Sequence, residues 1–94
     1  MPAIGVLTME LHMPEALSLK DKRHWVRGLK DRLRNRHNVA VAEIDFQEVW
    51  KRGLVAAVTV SGNRAHCEQQ LLAVERSAAD FLGPMLSDCV FEYF

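Results

Sequence analysis

The chain has 94 residues, nearly half of them apolar and about a quarter charged, and its formal net charge is zero. These properties indicate one ordinary globular domain with a modest core, and they exclude a disordered chain. No apolar run reaches the ~18 residues needed to span a bilayer, and the N-terminus lacks the basic segment of a signal peptide. The two cysteines form no metal-type or redox-type pair, so we predict a cytoplasmic protein with free thiols.

The first half of the chain predicts a strand followed by a helix. Residues 3–12 alternate between apolar and polar side chains, which is typical of a strand with one solvent-exposed face. Ser18 is a candidate N-cap with Asp21 three residues later, and the helix that it opens should run to about Arg36. Its apolar stripe consists of Trp25, Val26, Leu29 and Leu33.

The middle of the chain predicts two further strands. Residues 39–46 form the second strand, with Ala40, Ala42, Ile44 and Phe46 on one face and Val41, Glu43 and Asp45 on the other. Residues 47–53 are a polar connection. Residues 54–61 form a third strand, whose continuous apolar character is typical of a central position in a sheet.

The last third predicts a helix over 64–82 and a strand over 85–93. The stripe of this helix comprises Cys67, Leu71, Val74, Ala78, Phe81 and Leu82. Gly83 and Pro84 end it. The order β-α-β-β-α-β predicts an α+β, ferredoxin-like fold in a single domain spanning 1–94. We expect a four-stranded antiparallel sheet of order 4-1-3-2, with both helices on one face because the crossovers are right-handed.

Positive charge is concentrated in the first helix. Segment 18–38 holds eight of the twelve Lys and Arg residues and two acidic residues, so it carries +6 and the rest carries −6. Five of its cations recur at helical spacing along one side: Lys20, Arg23, Arg27, Lys30 and Arg34. This stripe can neutralise several phosphates of a nucleic acid. The alternative is a solvated helix face that the acidic remainder balances.

The predicted topology gathers further residues near the start of the first helix. Lys22, Trp50 and Arg52 should share this end of the molecule. Trp50 lies between a Glu-Val pair and two cations, so it can stack on a base or anchor a partner, or instead fold back over the sheet edge.

The open face of the sheet is expected to be acidic and solvated. The residues assigned to it are Glu10, His12, Glu43, Asp45, Asp88 and Glu92. An RNA-binding sheet carries stacking aromatic and basic residues instead, so we expect any RNA on the helix side. The spacing of these side chains does not support a metal site.

No catalytic motif is present: the chain has no GxSxG sequence and no glycine-rich phosphate loop. We therefore predict neither an enzyme nor a bound cofactor.

Three segments, SLKDKR, NVAVAEIDFQEVWKRG and VSGNRAH, together resemble the YlxP-like family of small bacterial proteins of uncharacterised function. The resemblance covers essentially the whole chain and implies a ferredoxin-like fold. It also implies a link to translation, because genes of this family often lie beside those for translation-initiation and ribosome-maturation factors. The family often has a His where this chain has Phe46, which argues against a conserved catalytic or metal-binding role here.

The sequence thus predicts a non-catalytic module that binds RNA or a ribosomal surface. Its nucleic-acid-binding residues would be Lys20, Lys22, Arg23, Arg27, Lys30, Arg34, Trp50 and Arg52. The alternative is a protein-interaction module, or a homodimer, in which the basic helix meets an acidic surface.

Overall fold

The secondary structure follows the predicted order. The computed structural model describes residues 1–94, with β1 (Ala3–His12), α1 (Leu19–Arg36), β2 (Ala40–Asp45), β3 (Arg52–Ser61), α2 (Arg64–Leu82), a 3₁₀ turn (Gly83–Met85) and β4 (Leu86–Tyr93). The predicted bounds agree with these within two residues, because the apolar periodicity and the caps act within each element.

Both helices begin at side chains that cap their free backbone N–H groups. Ser18 Oγ accepts a hydrogen bond from the Asp21 amide at 3.1 Å, and the Asp21 carboxylate accepts one from the Leu17 amide at 3.0 Å. Asn63 Oδ1 accepts from the His66 amide at 2.9 Å at the start of α2. These bonds satisfy donors that have no partner within the helix, so they fix where each helix starts.

The sheet has the predicted topology. Its four antiparallel strands lie in the order β2-β3-β1-β4, which is 4-1-3-2 read from the other edge. Both helices cover one face, and the core between the two layers includes Leu7, Met9, Leu29, Leu71 and Val74. The ferredoxin-like α+β fold is therefore confirmed.

Two glycines permit close packing in the helical layer. A Cβ atom on Gly28 of α1 would lie 2.8 Å from the ring of Phe81 on α2. A Cβ atom on Gly5 of β1 would lie 2.8 Å from the Leu71 side chain. Both distances are shorter than a normal van der Waals contact, so only glycine fits at these positions without repacking.

The predicted facing of β2 is wrong. Val41 is buried against the helices and Glu43 lies on the same covered side, opposite Val55, whereas Ala40, Ala42 and Ile44 face outward. Glu43 turns inward because a buried cation from α1, Lys22, forms an ion pair with it.

The open face of the sheet is therefore aliphatic rather than acidic. Asp45 is exposed beyond a β-bulge, and Glu10, His12, Asp88 and Glu92 do lie on outward-facing positions of β1 and β4. Between them, however, most of the outward-facing side chains are Val, Ile, Leu or Ala. The apolar periodicity of β2 does not distinguish its covered face from its open face, because both faces carry apolar residues. The covered face also carries the charge of Glu43.

Candidate nucleic-acid interface

The cationic stripe runs along the flank of α1 that faces away from α2. On the other flank, Trp25, Gly28 and Arg32 meet Phe81 of α2. Near the end of the stripe, the Arg34 guanidinium donates to the Val41 carbonyl of β2 at 2.7 Å. Since β2 is an edge strand, the stripe lies at the side of the molecule and solvent can reach it.

The first half of the stripe surrounds a shallow depression. It is lined only by Lys20, Arg23, His24 and Arg27, all of which are exposed. The fourth stripe cation, Lys30, is half-buried one turn further along. The depression therefore presents three permanent positive charges and an imidazole without any apolar lining.

The stripe cations have no acidic partners. The ion pairs of the structure are Lys22 with Glu43, Arg52 with Glu10, and Arg64 with Glu68. Of the eight cations in segment 18–38, only Lys22 is thus neutralised by a carboxylate, and the others keep their charge for solvent or a ligand. An anion placed in the depression would complete pairs that the fold leaves open.

The structure corrects the assignment of Lys22 to this surface. Its side chain is 1% exposed, its ammonium lies 2.8 Å from Glu43 Oε2, and it also donates to the Phe46 carbonyl. A lysine inserted between the sheet and α1 must be paired, because an isolated buried charge is strongly unfavourable. Lys22 is therefore a structural residue that cannot contact a phosphate.

Arg52 lies at the predicted end of the molecule, beside His12, but its side chain is on another face than the cationic stripe. It projects onto the open face of the sheet, where its guanidinium is 2.8 Å from Glu10 Oε1 and 4.2 Å from the centroid of the Phe46 ring. The inward or outward direction of a residue at the start of a strand depends on register, which the local sequence did not specify. Arg52 therefore belongs to the face opposite the cationic stripe.

The loop between β2 and β3 does meet the start of α1, as the topology predicted. Lys51 Nζ donates to the Pro14 carbonyl at 2.6 Å, which fastens the loop to the segment that precedes α1. Trp50 lies on this loop and is 48% exposed. It is thus accessible to a ligand, but its loop rather than the helix positions it.

A small cavity adjoins the cationic depression. Its volume is about 170 Å³, and it is lined by Met13, Pro14, Glu15, Ala16, Asp21, His24, Trp25 and Met85. His24 borders both the cavity and the depression. Sequence reasoning missed this site because Met85 reaches it from the opposite end of the chain. The exposed Trp that lines this cavity is Trp25, which is 36% exposed, and not the predicted Trp50.

The titratable groups with a shifted pKa that lie outside this surface belong to the packed structure of the domain. Burial, with a smaller effect of Arg36, lowers the pKa of His37, whose Nε2 lies 2.8 Å from Ser77 Oγ on α2. Burial and the neighbouring Glu75 raise the pKa of Cys89 to about 11, which leaves little thiolate at neutral pH. Nowhere do three His, Cys, Asp or Glu side chains converge as a metal site would require.

Neither helix is long and apolar enough to cross a lipid bilayer.

The fold is similar to that of a de novo designed protein, Foldit4, at a TM-score of 0.60 and 6% identity, over all of this chain and 97% of that one. A designed protein with a ferredoxin fold, LFR1 1, gives a TM-score of 0.48 and 10% identity over all of this chain and 84% of that one. These similarities concern the fold alone.

Similarity in sequence is more specific. Residues 4–88 match the family described as "Protein of unknown function (DUF503)". The chain is also 34% identical over 71 residues to the "Uncharacterized protein YlxP" of Bacillus subtilis (strain 168), which covers 76% of this chain and 77% of that protein. The resemblance to YlxP-like proteins is thereby confirmed, and the chain belongs to the DUF503 family.

Proposed function

We propose that this protein is a non-catalytic, cytoplasmic module that binds RNA, or the RNA of a ribosomal surface, through the cationic flank of α1. The observation that carries the proposal is the depression formed by Lys20, Arg23 and Arg27, which are exposed and have no carboxylate partner. Cations that share one flank and have no acidic partner favour the binding of a polyanion over a merely solvated face. Each phosphate that they neutralise releases a counterion.

The neighbouring cavity supports single-stranded RNA over a duplex. Bases are recognised by proteins mainly where they are unstacked and can lie against aromatic side chains. Trp25 offers such a surface beside the depression, and the carboxylate of Asp21 lines the same cavity as an acceptor for base N–H groups. Phosphates would occupy the depression while one base enters the cavity.

The link to translation supports RNA as the polyanion. It derives from the gene neighbourhood that the resemblance to YlxP-like proteins implies, and it is an association rather than a physical argument.

A titration of fluorescent single-stranded ribosomal RNA fragments at two salt concentrations tests the proposal. With Lys20, Arg23, Arg27 and Lys30 each contacting one phosphate, the logarithm of affinity should fall with that of salt concentration with a slope of about −3. In a Trp50→Phe background, the emission of Trp25 should change on binding, because a base would stack nearby.

Charge reversal locates the surface. The double variant Arg27→Glu, Lys30→Glu should lose binding by about a hundredfold or more and reduce the salt slope by about 1.4, since two contacts are removed. The matched control is Arg64→Glu, Arg76→Glu on α2, which makes the same change in net charge away from the stripe. Equal losses in both variants would contradict a specific surface on α1.

The same flank could instead meet an acidic protein surface, including that of a second copy. This alternative predicts that RNA binds weakly or not at all, and that a protein complex or a dimer dissociates as salt rises. Sedimentation at low and high salt distinguishes it from RNA binding.

A further inference from the structure

The open face of the sheet carries a continuous aliphatic patch, although no element of the chain covers it. The outward-facing residues form rows that run across the strands, because paired residues on neighbouring strands point to the same side of the sheet. The rows are Val60, Ile4 and Phe94; Ala40, Val58, Val6 and Glu92; Ala42, Ala56, Thr8 and Val90; and Leu54, Glu10 and Asp88. The first three rows contain one charged residue, Glu92.

The aliphatic side chains of this patch are unusually exposed for the open face of an antiparallel sheet. Val60, Val90, Ile4 and Val58 have exposed fractions of 60%, 49%, 44% and 38%. Antiparallel sheets with one solvated face normally alternate apolar and polar residues, whereas β3 is apolar on both sides from Leu54 to Val58. Its sequence is therefore typical of a strand that is buried on both faces.

The whole open face, with the patch at its centre, is large enough for a stable association. Four strands at a spacing of about 4.8 Å, each residue advancing about 3.4 Å, give the ten-residue central strands a face of about 600 Å². Two such faces would bury about 1,200 Å², which is within the size range of specific protein interfaces. The first three rows occupy about 360 Å² of that face, an apolar area of the size that often marks an interaction site, and Glu10, Asp88 and Arg52 lie at its rim.

The chemistry of the patch favours another sheet as its occupant. Neither the cavity nor the depression described above is lined by it, and its one Lys or Arg side chain is Arg52, which Glu10 already neutralises at the rim. Flat faces of β-branched side chains pack well against each other at about 10 Å separation, as in β-sandwiches. A second copy supplies such a face, and a twofold axis through the Val6–Val58 region would bring each aliphatic row onto its counterpart.

We propose that two copies of this chain pack their open sheet faces together as a homodimer with four layers, helices outside and sheets inside. This interface differs from the charge-complementary dimer considered above, because it buries aliphatic side chains and leaves both basic helices exposed on opposite sides. It is also independent of whether the cationic flank binds RNA. An apolar interface should persist as salt rises, since salt screens charges and not apolar contacts.

Sedimentation equilibrium of wild-type protein and of Val58→Glu tests the interface. The wild type should be a dimer at low and at high salt. Val58→Glu should weaken the dimer by about a hundredfold or more, because each copy would bury an unpaired carboxylate. The matched control is Leu72→Glu, at an exposed apolar position on α2 (49% against 38% for Val58), which should leave the dimer intact.

Folding of each variant is checked by circular dichroism. If Val58→Glu does not fold, Val60→Glu replaces it, because Val60 is more exposed in the monomer and tolerates a charge there. A wild-type chain that stays monomeric at high concentration would overturn the proposal. So would a dimer that dissociates with salt, or one that the folded Val58→Glu or Val60→Glu variant leaves unchanged.

Discussion

At the scale of single residues, Phe46 has the most constrained backbone in the chain. It is the one non-glycine residue with a positive φ, at 62°, and it directly follows β2. Its carbonyl accepts a hydrogen bond from Lys22, and Arg52 stacks over its ring. These contacts hold the chain in a conformation that side chains with a Cβ atom disfavour.

Replacing Phe46 by alanine and by glycine separates the backbone from the ring. Both changes remove the contact with Arg52, but only glycine adopts a positive φ without steric cost. Phe46→Gly should therefore be more stable than Phe46→Ala by about 1 kcal/mol in urea unfolding. At the neighbouring Gln47, whose φ is negative, alanine should be the more stable of the two. The same order at both positions would contradict strain at Phe46.

At the scale of elements, the Lys22–Glu43 ion pair joins α1 to β2. Gly53 of β3 adjoins the pair: a Cβ atom there would make ordinary van der Waals contacts, 3.4 Å from Glu43 Oε2 and 3.5 Å from Lys22 Cε. The pair explains why β2 turns a carboxylate toward the core. It also fixes the end of β2 against α1, which sets the position of the cationic flank relative to the sheet edge.

A double-mutant cycle measures this pair. Lys22→Met leaves Glu43 buried without a partner and should lower the free energy of unfolding by about 3–5 kcal/mol. Adding Glu43→Leu should restore part of that loss, because no uncompensated charge remains. The exposed pair Arg64–Glu68 is the control, with a coupling of at most about 0.5 kcal/mol. Additive losses at Lys22 and Glu43 would show that the two charges do not interact.

His37 connects the C-terminal end of α1 to α2. Because its pKa is lowered, folding favours the neutral imidazole. The contribution of His37 to the free energy of unfolding is therefore complete above the ordinary pKa of His. That contribution is lost as pH falls, because the unfolded state then binds a proton more readily. The helical layer is therefore held less firmly at acidic pH.

The pH dependence of stability tests this role. Between about pH 7.5 and about pH 5, the melting temperature of His37→Gln should fall less than that of the wild type. Ser77→Ala loses the hydrogen bond but keeps the imidazole, so it should retain the wild-type dependence on pH. An unchanged slope in His37→Gln would exclude His37 as a source of the acid sensitivity.

At the scale of the whole molecule, the two proposed surfaces lie on different sides and respond differently to salt. The cationic flank borders the edge strand β2, while the aliphatic patch occupies the open face of the sheet. RNA binding should weaken steeply as salt rises, and the sheet-face dimer should not. A dimer would present two cationic flanks on opposite sides, so each copy should bind its own RNA segment.

Local sequence patterns were sufficient to predict the elements, their order and the basic stripe of α1. Apolar periodicity, the caps at Ser18 and Asn63 and the stop at Gly83 act over a few neighbouring residues, and the β-α-β-β-α-β order admits few topologies. The stripe of Lys20, Arg23 and Arg27 followed from helical spacing alone, and the structure places these three residues around one depression.

Packing between distant segments sets which face of each strand is covered and which cations remain free. Lys22 precedes Val26 by one turn on the covered face of α1, and a charge is tolerated there because Glu43 and the Phe46 carbonyl meet it from other elements. Arg52 is neutralised by Glu10 for the same reason, through the register of β3 on β1. Such pairings join residues that are distant in the chain, so their free energies depend on packing and register rather than on local sequence.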